Sequence, residues 1–187
     1  MPMKLFELRV DLSKCCTFRP STNGLYAWSN VGAGTYFDGV ARGGIYPAVK
    51  GRRDLKERKN GPLPDFTHFA LDSIPTFSDR AIDVLGEFLS EHGEFTPTIQ
   101  MDEPMEYKAF NCTTIFDCLD EDRSELKRFS DGPIMSVTKY VLQSSVESLP
   151  PIFKMPQLRM GHTFVNQDFV KRAEGLLGFR FIELFER

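Results

Sequence analysis

Residues 76–95, TFSDRAIDVLGEFLSEHGEF, decide the fold class of this chain. Ser78 precedes a run of apolar residues that are spaced for one side of a helix, and Gly93 follows that run. The apolar residues of the run are Ile82, Leu85, Phe88 and Leu89. A serine hydroxyl can accept a hydrogen bond from a backbone N–H at the start of a helix, and glycine suits the left-handed residue that ends one. The pattern therefore predicts an amphipathic helix that leads into an aromatic strand at Phe95.

Residues 163–181, TFVNQDFVKRAEGLLGFRF, have the same order of features. Asn166 is in the capping position, apolar residues follow at helical spacing, and Gly178 stands before an aromatic strand. One interpretation is a loosely repeated strand–helix–strand unit. The alternative is chance, because a helix, a glycine and a strand follow one another in many proteins of this class.

Other segments favour strands. Phe6, Leu8 and Val10 alternate with charged residues, which predicts a half-buried strand over residues 4–11. Residues 106–119 predict one long strand with a buried face, and further strands are expected at residues 134–142 and 179–185. The residues expected on that buried face are Phe110, Cys112, Phe116 and Cys118. Because strands and helices do not alternate regularly, we predict an α+β fold: a mostly antiparallel sheet with two main amphipathic helices.

Composition and charge exclude several classes of function. The chain has 187 residues and a formal net charge of −3, so a protein-wide basic field for nucleic acid is absent. No stretch approaches the roughly 20 apolar residues of a membrane span, and residues 1–11 lack the apolar core of a signal peptide. We therefore expect a cytoplasmic protein. We expect residues 1–63 to hold an N-terminal strand and a glycine-rich region, and residues 64–187 to form the main α+β domain.

The sequence contains no recognisable catalytic, cofactor-binding or metal-binding motif, and we predict none of these sites. The four cysteines lack the paired spacing of a zinc or redox site, and Cys15 and Cys16 are expected to be more exposed than Cys112 and Cys118. None of the histidines lies in a metal-ligand pattern. These histidines are His68, His92 and His162. The glycine-rich residues 32–39 lack the spacing of a phosphate-binding loop and are better explained as turns.

Two surfaces are candidates for binding a protein partner. Five carboxylates lie within residues 117–125, which indicates either a solvated turn or an electronegative patch for a basic partner. The predicted binding residues there are Asp120, Glu121, Asp122 and Glu125. Residues 23–44 contain aromatic side chains that are either partner anchors or core. These are Tyr26, Trp28, Tyr36 and Phe37. The basic residues 50–59 predict a solvated loop or short helix, with nucleic-acid contact as the less favoured interpretation.

Several short segments resemble a known bacterial family. They are residues 77–80 (FSDR), 94–97 (EFTP), 107–111 (YKAFN), 117–120 (DCLD) with Ser124, 151–155 (PIFKM) and 178–181 (GFRF). In this order and spacing they are similar to the immunity proteins of polymorphic toxin systems typified by the myxobacterial swarm-exclusion immunity protein. The resemblance covers roughly residues 64–187.

The resemblance implies a non-catalytic domain that binds and silences a toxin encoded beside it, often one delivered by type VI secretion. We therefore expect stoichiometric binding to a cognate toxin, with no membrane or nucleic-acid partner. Two alternative functions stay open. One is a small enzyme that uses an N-terminal Cys or His to reverse the toxin's modification, and the other is a nucleic-acid accessory module that uses residues 50–59.

Overall fold

The computed structural model describes residues 3–20, 37–54, 61–69, 74–159 and 161–184. The strands are β1 (Leu5–Val10), β2 (Phe18–Pro20), β3 (Gly51–Arg53), β4 (Phe66–Phe69), β5 (Ile74–Ser78), β6 (Gly93–Phe95), β7 (Tyr107–Cys112), β8 (Glu125–Arg128), β9 (Ile134–Lys139), β10 (Ile152–Phe153), β11 (Phe164–Asn166) and β12 (Phe179–Leu184). The helices within these ranges are α1 (Asp79–His92), α2 (Gln167–Arg172) and a short 3-10 helix at Pro156–Leu158.

The strands form antiparallel sheets, which confirms the predicted α+β class. Sheet one has the order β10-β11-β1-β12, and sheet two has the order β4-β5-β7-β6. Two further sheets have two strands each, β2-β3 and β8-β9. In sheet two, β5 precedes α1 and β6 follows it, and β7 lies between these two strands and runs antiparallel to both. In sheet one, β11 precedes α2 and β12 follows it, and β1 lies between them in the same way. The two helices therefore have the same strand order around them, and the internal repeat itself stays a prediction.

Helix α1 begins where the sequence predicts. The Ser78 hydroxyl accepts a hydrogen bond from the Ala81 backbone N–H at 3.1 Å, and Leu85 and Leu89 are buried. The predicted left-handed conformation of Gly93 is wrong, because its φ of 178° is extended. Gly93 is instead the first residue of β6, where a Cβ atom would lie 2.3 Å from the backbone oxygen of Asn111. Glycine is required there because β6 and β7 approach closely.

Helix α2 is shorter than the sequence predicts. Asn166 caps it, accepting hydrogen bonds from the Asp168 and Phe169 backbone N–H groups at 3.0 Å each, but the helix ends at Arg172 rather than at Gly178. Gly178 does have a left-handed φ of 91°, and it leads directly into β12. A Cβ atom at Gly178 would lie 2.2 Å from the backbone oxygen of Phe66, so this glycine lets the start of β12 contact β4.

Strand β1 is central in sheet one and is more buried than its alternating sequence predicts. It pairs with β11 on one side and β12 on the other, and both faces of its first four residues are buried, including the carboxylate residue Glu7. A prediction of half-burial from alternation fails here because the core covers both faces of the sheet. Sheet one therefore contains strands from both predicted parts of the chain, residues 1–63 and residues 64–187.

The predicted long strand over residues 106–119 is also wrong, because β7 ends at Cys112. The following residues run alongside Lys154 through a parallel bridge at Ile115. As a result Cys112 and Cys118 do not share a strand face. Cys112 packs in the core cluster beneath α1, whereas Cys118 packs in a separate cluster with Tyr140 and Phe164.

Candidate protein-binding surface

The acidic turn, residues 117–125, is fixed to the body of the protein by backbone hydrogen bonds. The Asp120 N–H donates to the Val141 carbonyl at 2.8 Å, and the Val141 N–H donates to the Ser124 hydroxyl at 3.0 Å. Within the turn, the Arg123 N–H donates to the Asp120 carboxylate at 3.1 Å. Leu119, within the turn, is buried and pairs with Leu142. The turn is therefore a preformed feature of the surface.

The structure divides the four predicted acidic residues into two pairs. Asp120 and Glu121 are half-buried and support the turn itself, whereas Asp122 and Glu125 are exposed. Glu121 accepts hydrogen bonds from Arg128 at 2.7 Å and from Gln157 at 3.0 Å, and the bond from Arg128 is the main reason that the pKa of Glu121 is lowered. Of the four predicted residues, Asp122 and Glu125 are thus the two whose side chains are exposed to solvent.

A fifth carboxylate, Asp117, extends the acidic turn toward the 3-10 helix. It is exposed, and it accepts a hydrogen bond from the Gln157 side-chain amide at 3.0 Å. The same amide nitrogen donates to Glu121, so Gln157 holds two carboxylates on one side of the turn. Interspersed cations reduce the net charge of the surface, since Arg128 pairs with Glu121 and Arg123 lies 3.8 Å from Asp120.

The hairpin of β8 and β9 follows the acidic turn and presents two apolar side chains that the sequence analysis did not identify. One face packs on the core through partly buried Leu126 and Val137. At the loop end of the hairpin, Phe129 is 53% exposed and Met135 is 47% exposed. Met135 lies at a register shift, where β9 has one extra residue between the pairs Lys127↔Ser136 and Arg128↔Ile134. Such a bulge redirects a side chain out of the regular pattern, which is why alternation could not predict Met135.

Of the four aromatic anchors predicted in the glycine-rich region, Phe37 alone lies among the described residues. Tyr26, Trp28 and Tyr36 lie outside the described residues. Phe37 is only 3% exposed and stacks on Tyr46 with ring centroids 5.8 Å apart, so it is a core residue and the prediction of a surface anchor is wrong for it.

The basic segment, residues 50–59, is described only as far as residue 54. There it forms strand β3 rather than a loop or helix. Arg53 donates two hydrogen bonds to the Glu103 carboxylate, at 2.8 and 2.9 Å, so one cation of the basic segment is neutralised within the protein.

The cysteines are poor candidates for nucleophiles. All four are buried, which corrects the expectation that Cys15 and Cys16 are more exposed. Burial raises the pKa of Cys112 and of Cys118 to about 12, and it also raises the pKa of Cys15 and Cys16. Because the thiolate is the reactive form, a raised pKa makes a cysteine unreactive near neutral pH.

His162 makes a defined contact with a carboxylate. The Nδ1 atom of His162 lies 2.5 Å from Oε1 of the buried Glu7, and the same oxygen is 2.7 Å from Arg9. His92 contacts the Thr114 hydroxyl at 2.9 Å, and burial lowers the pKa of His92. Within the described ranges, no three His, Cys, Asp or Glu side chains come together as a group that could hold a metal ion.

Comparison of the chain with models of known protein families and with curated proteins found no match. None of the helices in the described parts of the chain is long and apolar enough to cross a membrane. The resemblance to polymorphic-toxin immunity proteins therefore stays a prediction.

Proposed function

We propose that this chain is a cytoplasmic immunity protein that neutralises a cognate antibacterial toxin, encoded nearby, by binding it one to one. The observation that carries the proposal is the fixed acidic turn, whose exposed Asp122 and Glu125 lie at the start of the β8–β9 hairpin, which also exposes Phe129. Stable protein interfaces combine a few aromatic or apolar anchors with a polar rim, over about 800 Å² on each partner. A preformed surface also lowers the entropic cost of binding.

The charge of this surface indicates the kind of toxin. Toxins that act on nucleic acid need a basic groove for phosphate, and a row of carboxylates is complementary to such a groove. Asp117 and Asp122 are both exposed, as is Glu125, and they project from a turn that backbone hydrogen bonds hold in place. Exposed charges act mainly on the rate of encounter, so their effect should decrease at high ionic strength.

The experiment is to measure association kinetics with the purified toxin-like protein encoded by the neighbouring gene, at low and high ionic strength. The double variant Asp122→Asn/Glu125→Gln should associate about 3- to 10-fold more slowly at low ionic strength and show a flatter salt dependence. The matched control is Asp168→Asn/Glu174→Gln, which removes two exposed charges elsewhere. If the first variant and the control both keep the wild-type rate and salt response, the acidic turn contributes to solubility alone.

A second candidate, a small enzyme, is favoured by one observation. The carboxylate of Glu7 holds the Nδ1 atom of His162, the arrangement by which a carboxylate orients an imidazole for general acid–base catalysis. If this pair were catalytic, wild-type protein would restore a toxin-modified target after the toxin is removed, and His162→Gln would not. Protection by His162→Gln in the same stoichiometric amount as wild type would exclude a catalytic role for His162.

A further inference from the structure

One face of sheet one carries three basic side chains side by side, here called the basic row: His162, Arg9 and Arg180. Arg9 of β1 lies directly opposite Arg180 of β12. On the other side of β1, Glu7 pairs with Phe164, and a backbone hydrogen bond of 2.9 Å continues this pairing, so the same register places His162 beside Arg9. Opposite residues on antiparallel strands share a face, with Cβ atoms about 5 Å apart. The three basic side chains are therefore neighbours.

The Arg180 end of the basic row is not neutralised by any residue in the described parts of the chain. Arg180 is exposed and forms no ion pair there. The carboxylate of Asp11, just after β1, instead contacts the Ser13 hydroxyl at 2.5 Å and the Lys14 ammonium group at 3.2 Å. Like charges directly opposite each other destabilise a sheet. Pairing Arg9 with Arg180 therefore costs stability, and folding alone does not account for it.

A buried carboxylate positions the other two members of the basic row. Oε1 of Glu7 lies 2.7 Å from a terminal nitrogen of Arg9 and 2.5 Å from Nδ1 of His162. Glu7 itself is buried, whereas the side chains of Arg9 and His162 are 39% and 27% exposed. A guanidinium group has five N–H donors and an imidazole has two nitrogens. Both side chains thus keep nitrogen atoms that Glu7 does not occupy.

A buried phenol lies beside the basic row. Tyr140 is 8% exposed, and its hydroxyl has no hydrogen-bond partner among the residues that the structure describes. Burial raises the pKa of Tyr140, Glu7 raises it further and Arg9 lowers it, so the charges that act on this phenol are those of the basic row and its anchor. Buried polar groups are nearly always hydrogen-bonded. The unpaired hydroxyl, which is a donor at neutral pH, therefore indicates that a bound group supplies its partner.

We propose that the basic row, together with Tyr140, binds a phosphate group, either as inorganic phosphate or as part of a small phosphate ester. Two neighbouring guanidinium groups offer pairs of N–H donors that match phosphate oxygens, and the phenol and the protonated imidazole of His162 add one donor each. A phosphate has three acceptor oxygens for these donors, whereas a carboxylate has two. Its negative charge also removes the repulsion between Arg9 and Arg180. This inference does not depend on binding of a toxin.

The test is a titration of isotope-labelled protein with inorganic phosphate, followed by NMR spectroscopy at constant ionic strength. The backbone amide signals of Arg9, His162 and Arg180 should shift together and saturate with one Kd of about 1 mM or lower. Acetate is the matched anion, because it offers a carboxylate instead of a phosphate. It should bind at least about tenfold more weakly.

Replacing Arg180 tests the basic row directly. Arg180→Gln should raise the Kd for phosphate about tenfold or more, and Arg180→Lys, which keeps the charge but not the paired N–H donors, should have an intermediate Kd. The matched control is Arg52→Gln, which removes an exposed arginine that also lies opposite an arginine, Arg19, in the β2-β3 sheet. Arg19 already has a carboxylate, Asp54, at 3.8 Å, so this control should leave Kd within about twofold of wild type.

Urea unfolding shows whether the variant is folded and gives a second readout. Without phosphate, Arg180→Gln should be at least as stable as wild type, because the repulsion from Arg9 is removed. Phosphate should raise the urea midpoint of wild type more than that of Arg180→Gln at the same ionic strength.

The inference fails if phosphate causes no saturable shifts at the basic row, if acetate binds as tightly, or if Arg180→Gln and Arg52→Gln have the same effect. Phenyl phosphate separates the two sources of the phosphate group. Tighter binding than inorganic phosphate would support an ester as the ligand, and equal binding would support free phosphate.

Discussion

Replacing Asp65 by alanine should lower the free energy of unfolding by about 3 kcal/mol, because this buried carboxylate joins the two sheets. Asp65 lies just before β4. It accepts hydrogen bonds from the Ser78 hydroxyl at 3.1 Å, from both the Nε and a terminal nitrogen of Arg80 in α1, and from the Leu177 N–H at 2.7 Å. Sheet two, the start of α1 and the segment leading into β12 therefore meet at one side chain.

The magnitude follows from what each donor does after the substitution. The Ser78 hydroxyl and the Leu177 N–H lose an acceptor that water replaces poorly, at about 1–2 kcal/mol each. Arg80 is about half exposed, so its guanidinium regains water and its contribution is no more than about 1 kcal/mol. The sum is close to 3 kcal/mol, a large fraction of the stability of an ordinary domain.

The assay is urea unfolding followed by circular dichroism, with Asp168→Ala as the control. Asp168 is an exposed carboxylate in the first turn of α2 with a 3.7 Å contact to Lys171, so its loss should cost no more than about 1 kcal/mol. A loss of less than about 1 kcal/mol for Asp65→Ala, equal to that of the control, would refute the reasoning that Asp65 joins the sheets.

The remaining predictions concern the cysteines and pH. Cys118→Ala should cost about 1–3 kcal/mol by urea unfolding without ending protection, and a well-folded variant that no longer protects would overturn its structural role. Burial raises the pKa of Cys112 and Cys118 to about 12, so both thiols stay protonated in the folded protein at pH values where unfolded cysteines ionise. Their contribution to the free energy of unfolding is therefore complete below about pH 8.5, and about 1.4 kcal/mol per pH unit should be lost for each thiol as pH rises toward 12. A urea midpoint that is constant from about pH 9 to 11 would contradict this. Burial alone would raise the pKa of Glu7, but the contacts with His162 and Arg9 outweigh burial and lower this pKa. The contribution of the ionised Glu7 carboxylate to the free energy of unfolding should therefore be lost as pH falls below about 4.3. Glu7→Gln should therefore show a flatter loss of stability in acid, and an unchanged acid limb would refute the role of that contact.

The features that the sequence predicted well are those that depend on neighbouring residues. The cap of α1 needs only Ser78 and the N–H of Ala81, three residues later, and the buried stripe of α1 follows from helical spacing. A turn was also expected within the acidic residues 117–125, and residues 121–123 form one, although β7 ends at Cys112 and does not lead directly into it.

The features that the sequence did not predict depend on contacts between distant parts of the chain. The loop of residues 38–46 is fixed by Glu94, 51 residues from Gly43, and no local pattern of glycines reveals that anchor. Phe37 was ambiguous for the same reason, since its burial depends on Tyr46 and on residues of sheet two. The division of the acidic turn into supporting and exposed carboxylates depends on Gln157, 36 residues after Glu121.

The central claim, that this chain protects by stoichiometric binding, is tested most directly by titrating a fixed amount of the purified neighbouring toxin with the purified protein and measuring residual toxin activity. Binding one to one predicts a linear loss of activity that is complete near equimolar amounts, when the toxin concentration is well above Kd. Complete inactivation by about one part in a hundred would require turnover, and full toxin activity at a severalfold excess would mean that no inhibitory complex forms. Either of these results would contradict the account.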